Sequence, residues 1–368
     1  MMTTSPRPRA REFGVPFRGL PPGPLNAITD VSGVCVGHTT LIEGEGPRAV
    51  RTGVTAVLAH GDDIFREKVI GAVHTINGFG KPFGFEQVRE FGVIESPICL
   101  TNTLNVGLVA DALVAWSLRR NPDIGVRTST MNPLIGECND GYLNDIQGRH
   151  VRAEHVWAAI DVAQGGPVAE GNVGAGTGMS AFGFKGGVGT ASRVVPDKHG
   201  GFTVGVLVVT NFGEREQLLI AGVPVGQELA DWPGEKPQDE GSIMVVLATD
   251  APLTSRQLLR VARRTAHGLA RTGSTATNGS GDFTIAFSTA QRVPHHPRTL
   301  VRQMNCLAED GPAINALFQA TVEATEEAVL NALFRAETMT GRDGHICHAL
   351  PLDRVADMLH RCGFYAGH

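Results

Sequence analysis

Two hydrophobic periods take turns along this chain. Short, β-branched runs bounded by glycine read as strands over residues 34–38, 53–61, 73–80, 98–103, 204–213 and 283–288. Between them, apolar residues recur at helical spacing. Leu104 to Arg119 carries Val106, Val109, Ala110, Leu113, Val114 and Leu118 on one side, with Asn102 or Thr103 placed to cap it. His155 to Val162 reads as a further helical segment, and Leu352 to Leu359 as a last short one. Thr254 to Leu269 sets Leu258, Leu259, Val261, Ala262 and Leu269 against Arg256, Arg260, Arg263 and Arg264. Ala313 to Met339 is the longest helical pattern, with Leu317, Phe318, Val322, Val329, Leu333 and Phe334 on its stripe. Residues 1–24 are rich in Pro and Arg and read as an irregular arm; 137–145 reads as a turn-rich loop. No repeat, low-complexity block or linker separates two cores, so the pattern predicts one α/β domain of layered sheets and helices.

One junction breaks the alternation. A polar run, 233–240, ends in Gly241; Ser242 follows, and then Ile243-Met244-Val245-Val246-Leu247-Ala248, too continuously apolar for a surface. The pattern predicts an exposed loop that delivers Ser242 to the first position of a buried strand. By itself it is more readily a plain loop-to-strand transition. Were the bond before Ser242 cut, one residue would carry both a nucleophile and a free amine.

Composition narrows the choices. The 368 residues suffice for a large core, and 42% hydrophobic with 19% charged residues describe a soluble globule. Glycine is the outlier, with 46 residues against a usage of roughly 7%. A net charge of −5 gives no polyanion footprint, so nucleic acid is not an expected partner. No stretch approaches the roughly 18 apolar residues of a membrane span. The six cysteines are scattered without CxxC spacing and read as reduced thiols, so a cytoplasmic protein is expected.

Most motif-borne chemistries fall away. Gly174-Ala175-Gly176-Thr177-Gly178 misses the dinucleotide spacing, and Lys185-Gly186-Gly187 has the wrong order for a phosphate loop, so close backbone packing is the better reading. His295-His296 and His345-Ile346-Cys347-His348 lack partner motifs, so neither a metal nor a cofactor is expected. Gly279-Ser280-Gly281 is too short for a hydrolase nucleophile elbow. Hydroxyl, amide and carboxylate groups at strand ends remain: Ser242, Asn211, Ser280, Asp282 and Tyr142. No histidine stands ready as a base for Ser242, whereas an α-amine, with a pKa of roughly 7.7–8.0, would serve. Asn211 is suited to donate to an oxyanion. Glu137 and Asp140 are candidate partners for a substrate ammonium, with solvated loop carboxylates as the plainer alternative.

Taken together, seven segments resemble the self-processing N-terminal-serine aminopeptidases of the DmpA and BapA type. They are Ile28-Thr29-Asp30-Val31 with Val36-Gly37-His38, Asn77-Gly78-Phe79-Gly80, residues 139–145, residues 173–178, Thr210-Asn211-Phe212-Gly213, Gly241-Ser242-Ile243 with residues 248–252, and Ser280-Gly281-Asp282. The resemblance implies an αββα sandwich of the kind shared with ornithine acetyltransferases. It also implies a precursor cut between Gly241 and Ser242 into an α chain (1–241) and a β chain (242–368). Ser242 would be the nucleophile, with its amine or Ser280 handling the proton and residue 282 anchoring the relay. Asn211 would sit in the oxyanion hole, and Tyr142 would donate toward the intermediate or leaving group. Substrates would be small peptides, amides or esters, and the processed units would assemble as a homo-oligomer, a tetramer. The family carries Glu where Asp282 stands, one methylene longer. Gly241 would tolerate a distorted backbone at the cut. The implied rivals are an amino-acid N-acyltransferase of the ornithine-acetyltransferase type, which carries a Thr nucleophile, and a non-catalytic small-ligand-binding protein.

Overall fold

In the computed structural model, which describes residues 7–233, 241–297 and 299–364, the strand-forming runs gather into two large sheets. In chain order the strands are β1 (Cys35–Glu43), β2 (Val50–Leu58), β3 (Glu67–Gly78), β4 (Val93–Ile94), β5 (Ile98–Asn102), β6 (Leu134–Cys138), β7 (Ser180–Ala181), β8 (Phe184–Lys185), β9 (Val188–Val194), β10 (Thr203–Asn211), β11 (Ser242–Thr249), β12 (Gly281–Pro294), β13 (Met339–Thr340) and β14 (Ile346–Cys347). The helices are α1 (Ala10–Phe13), α2 (Phe85–Phe91), α3 (Val106–Arg120), α4 (Ala153–Asp161), α5 (Val225–Glu228), α6 (Ser255–Ala262), α7 (Thr265–Arg271), α8 (Pro312–Arg335) and α9 (Leu352–Arg361). One sheet has the order β1-β2-β5-β6, the other β4-β3-β12-β11-β10-β9.

Alternation along the central strands sets the layers. Ile243, Val245 and Leu247 of β11 join Val206 and Val208 of β10 in a core with Leu317, Ala324 and Leu330 of α8 and Leu258 of α6. Met244, Val246 and Ala248, with Leu207, Val209, Phe283, Ile285 and Phe287, face the other way. They meet Val36, Val57, Ile98, Leu100, Leu134 and Cys138 of the four-stranded sheet. The far side of that sheet buries Val54, Ala56, Cys99 and Ile135 against α3 and α4. Helices, sheet, sheet, helices: this is the αββα sandwich. Because β11 is buried on both faces, its sequence is a continuous apolar run.

Two glycines let helices sit directly on strands. A Cβ on Gly37 would lie 2.1 Å from the carbonyl oxygen of Ala159 in α4, and one on Gly189 would lie 2.0 Å from that of Ala328 in α8.

Several boundaries differ from the sequence reading. The pattern over 254–269 is two helices, α6 and α7, and α8 ends at Arg335 because Ala336 is extended. The supposed loop at 137 begins inside β6. Strand β9 went unforeseen because its Gly189, Thr190, Ala191 and Ser192 are small residues beneath α8 rather than an apolar run. The N-terminal arm contains the short helix α1, tied to α8 by the Ala10 backbone N–H donating to the Asn331 side chain at 3.0 Å.

Candidate active site

Three strand ends meet at one end of the central strands of the six-stranded sheet. Ser242 opens β11, facing Asn211 at the end of antiparallel β10 and Gly281 at the start of parallel β12. The expected delivery of Ser242 to the first position of a buried strand holds. Residues 234–240 of the preceding loop lie outside the described residues.

Ser242 is buried, and its neighbour two along, Met244, points into the cleft between the sheets. Ser242 points the same way. Its Oγ accepts the Asn139 backbone N–H at 3.3 Å and lies within hydrogen-bond reach of the Cys138 thiol, which itself donates to the Val209 carbonyl at 3.4 Å. Burial pushes the Cys138 pKa well up, so Ser242 sits beside a neutral thiol.

Asn211 is oriented by its own carbonyl oxygen, which accepts the Ser180 backbone N–H at 3.1 Å. The amide NH2 is thereby turned away from that contact. On the other side, the Ser280 hydroxyl donates to Asp282 Oδ1 at 2.5 Å. Asp282 Oδ2 is buried with no hydrogen-bond partner among the described residues. Burial raises the Asp282 pKa to about 6, while the Ser280 hydroxyl and, more loosely, the Ile243 backbone N–H pull it back. The turn that presents Ser280 is held by Asn77, whose side-chain NH2 donates to the carbonyls of Thr277 at 3.0 Å, Asn278 at 3.1 Å and Ser280.

Gly241 sits close against its neighbours at the junction. A Cβ on it would stand 3.1 Å from Ser280 Oγ and 3.3 Å from Phe212 Cα. Its carbonyl accepts the Gly281 N–H at 3.0 Å. The bond before Ser242 is thus pinned against Ser280 with its carbonyl already polarised.

The remaining candidates lie on the loop leaving β6. The Tyr142 ring stacks on His345, centroids 4.7 Å apart and planes within 7°, and the Tyr142 carbonyl bonds His345 Nδ1 at 2.9 Å. Glu137 and Asp140 are buried, so neither is a solvated loop carboxylate. Glu137 Oε1 accepts the Lys81 backbone N–H at 2.9 Å, and Oε2 accepts the Thr103 hydroxyl. Asp140 is sealed further in, with Oδ1 accepting the Asn144 side-chain NH2 at 2.9 Å and Cβ 2.9 Å from where a Cβ on Gly178 would fall. Burial raises its pKa to about 7.

The glycine-rich loop is close packing, as its sequence suggested. A Cβ on Gly178 would lie 2.2 Å from the Arg51 carbonyl oxygen, and one on Gly176 2.4 Å from the Val188 nitrogen. Lys185 ties this loop from inside, donating to the carbonyls of Gly176 at 3.2 Å, Met179 at 2.8 Å and Gly186 at 2.8 Å. Burial lowers the Lys185 pKa to about 8. Among the described residues no group of His, Cys, Asp and Glu is arranged to hold a metal, and no helix is long and apolar enough to cross a membrane.

Residues 26–347 match peptidase family S58, across the Gly241–Ser242 junction and every candidate residue above. The chain belongs to this family. In S58 terms, the beta-peptidyl aminopeptidase BapA of Sphingosinicella xenopeptidilytica is 46% identical over 371 residues, 96% of this chain and 91% of that protein. Among solved structures, the PH0078 protein of Pyrococcus horikoshii OT3 superposes with a TM-score of 0.92 at 51% identity, covering 97% of this chain and 99% of that one. The L-aminopeptidase D-Ala-esterase/amidase of Ochrobactrum anthropi, described as a prototype of the serine aminopeptidases and a variant of the Ntn hydrolase fold, superposes with a TM-score of 0.90 at 42% identity over 98% of this chain and 100% of its own. Membership of S58 makes the sandwich a peptidase scaffold.

Proposed function

We propose that the chain is a serine aminopeptidase that also cleaves amides and esters, and that it matures by cutting itself before Ser242. The observation that carries this reading is the meeting of Ser242, Asn211, Ser280 and Asp282 at one end of the central strands, with the Gly241 carbonyl held by the Gly281 N–H.

In maturation, Ser242 Oγ attacks the Gly241 carbonyl carbon, the C–N bond breaks, and the acyl group passes to oxygen. Water then hydrolyses the ester, leaving Gly241 with a carboxylate and Ser242 with a free amine. The proton leaving Oγ is taken up through the Ser280–Asp282 pair. The new ammonium forms one residue before Ile243, whose N–H already leans toward the Asp282 carboxyl. It meets the unpartnered Oδ2. In turnover, the amine serves as base while Ser242 attacks the carbonyl of the substrate's first residue. The Asn211 amide donates to the oxyanion, and Tyr142 donates toward the intermediate or leaving group. Water releases the acyl group as an amino acid.

Glu137 receives the substrate's ammonium. Its carboxylate is buried yet bonded to neutral donors, the Lys81 N–H and the Thr103 hydroxyl, so a cation is the complement it lacks. Substrates are small peptides, amides and esters with a free amine, and processed units assemble as a tetramer, which light scattering of the purified enzyme tests.

Ser242→Ala tests the chemistry. The variant should neither cleave itself nor hydrolyse aminoacyl p-nitroanilides, and wild type should ignore N-acetylated substrates. Cleavage that persists in Ser242→Ala would point to an outside protease and overturn the self-processing reading.

A further inference from the structure

Three large apolar side chains are exposed on the segments that hold Glu137. Phe79 is 53% exposed, Phe83 47% and Leu104 46%. Each lies on a segment already committed to the site. The Phe79 N–H donates to the Ser280 carbonyl at 3.3 Å, and its own carbonyl oxygen lies 2.7 Å from where a Cβ on Gly281 would fall. Two residues on, the Lys81 N–H meets Glu137. Phe83 is bridged to Ile135 by backbone bonds of 2.9 and 3.0 Å, two residues before Glu137. Leu104 directly follows Thr103, whose hydroxyl meets the other Glu137 oxygen.

We infer that Phe79, Phe83 and Leu104 line the subsite for the side chain of the substrate's N-terminal residue, and that this subsite favours bulky apolar side chains. The inference rests on the aminopeptidase reading of Ser242 and Glu137. A substrate residue tethered by its ammonium at Glu137 and its carbonyl at Ser242 projects its side chain from the atoms between. The segments bordering that span are 79–83 and 103–104, and apart from Lys81 their exposed side chains are apolar. Apolar exposure gathered on segments that serve one carboxylate points to a binding surface. A leucyl or phenylalanyl side chain covers it and removes apolar area from water; a glycyl residue covers nothing. The Lys81 ammonium, 5.0 Å from the centroid of the Phe79 ring, adds a penalty for basic side chains at the rim.

The test is a panel of Leu, Phe, Ala, Gly and Lys p-nitroanilides with the processed full-length enzyme. Wild type should favour Leu and Phe over Gly in kcat/KM by about tenfold or more, and disfavour Lys. Phe79→Ala and Leu104→Ala should each lower the Leu-to-Gly ratio about tenfold, whatever happens to the overall rate. Phe91→Ala, an exposed aromatic at the end of α2, should leave that ratio alone. A ratio unmoved in Phe79→Ala and Leu104→Ala would overturn the subsite. So would loss of assembly in these variants with selectivity intact, which would make the patch an interface between copies. Wild type that hydrolyses neither this panel nor β-alanyl p-nitroanilide would fail the aminopeptidase reading itself. Wild type active on the panel but indifferent to the side chain would sink only the subsite.

Discussion

Replacing Asp282 by Asn in a chain that cannot cut itself, Ser242→Ala, isolates the buried carboxyl before any ammonium exists beside it. Burial raises that carboxyl from 3.8 to about 6. A shift of roughly two units corresponds to about 3 kcal/mol at about 1.4 kcal/mol per unit. The folded pKa lies above the unfolded one, so the folded chain binds the extra proton. The cost of the charged carboxylate is therefore fully present above about pH 6 and is relieved as pH falls toward 3.8. Asn is neutral throughout and keeps an oxygen for the Ser280 hydroxyl. Asp282→Asn should thus stabilise the uncut chain by up to about 3 kcal/mol at pH 8, with the gain shrinking to nothing near pH 4. Chemical denaturation of the single and double variants at pH 4, 6 and 8 measures it. An equal effect at pH 4 and 8, or a loss of stability at pH 8, would mean the carboxylate is already paired and would refute the argument.

Other outcomes follow from the same geometry. Asn211→Ala removes the proposed oxyanion donor and should lower kcat by about 10²- to 10³-fold with little change in KM, read by steady-state kinetics. Cys138→Ala should lower kcat with KM held, because the thiol and the Asn139 N–H together position Ser242 Oγ; Cys138→Ser should recover part of the loss. Alkylation of the native protein should label the exposed Cys306 and Cys362 and spare the buried Cys138, as peptide mass mapping would show. Gly136→Ala should lower the melting temperature, at a cost of about 1–3 kcal/mol. Its Cβ would lie 2.4 Å from the Met244 methyl, in the packing next to Ser242.

The layered α/β architecture was legible because its central strands are buried on both faces. The run after Ser242 could be nothing but interior. Strand β9 was not legible, since Gly189, Thr190, Ala191 and Ser192 are selected for the close seat of α8 and carry no strand pattern. The site was only half legible. Ser242, Asn211, Ser280 and Asp282 come together through the pairing of strands far apart in sequence, which spacing does not reveal; the family resemblance supplied them. Cys138 escaped notice because β6 runs into what reads as a turn-rich loop. The Asn139 N–H escaped because a backbone donor has no residue signature. Lys185 was met only as a failed phosphate loop, although its three carbonyl partners make it the internal tie of the glycine-rich segment. Asp140 read as a candidate ammonium partner or a solvated loop carboxylate, and only burial under Gly178 shows that it is sealed inside the loop.

The central claim is that the bond before Ser242 is absent from the mature protein. Intact mass with N-terminal sequencing of the freshly purified, active enzyme tests it directly. The account predicts two polypeptides, the smaller beginning Ser242-Ile243-Met244. A single 39.0 kDa chain that still releases amino acids from aminoacyl amides would contradict it.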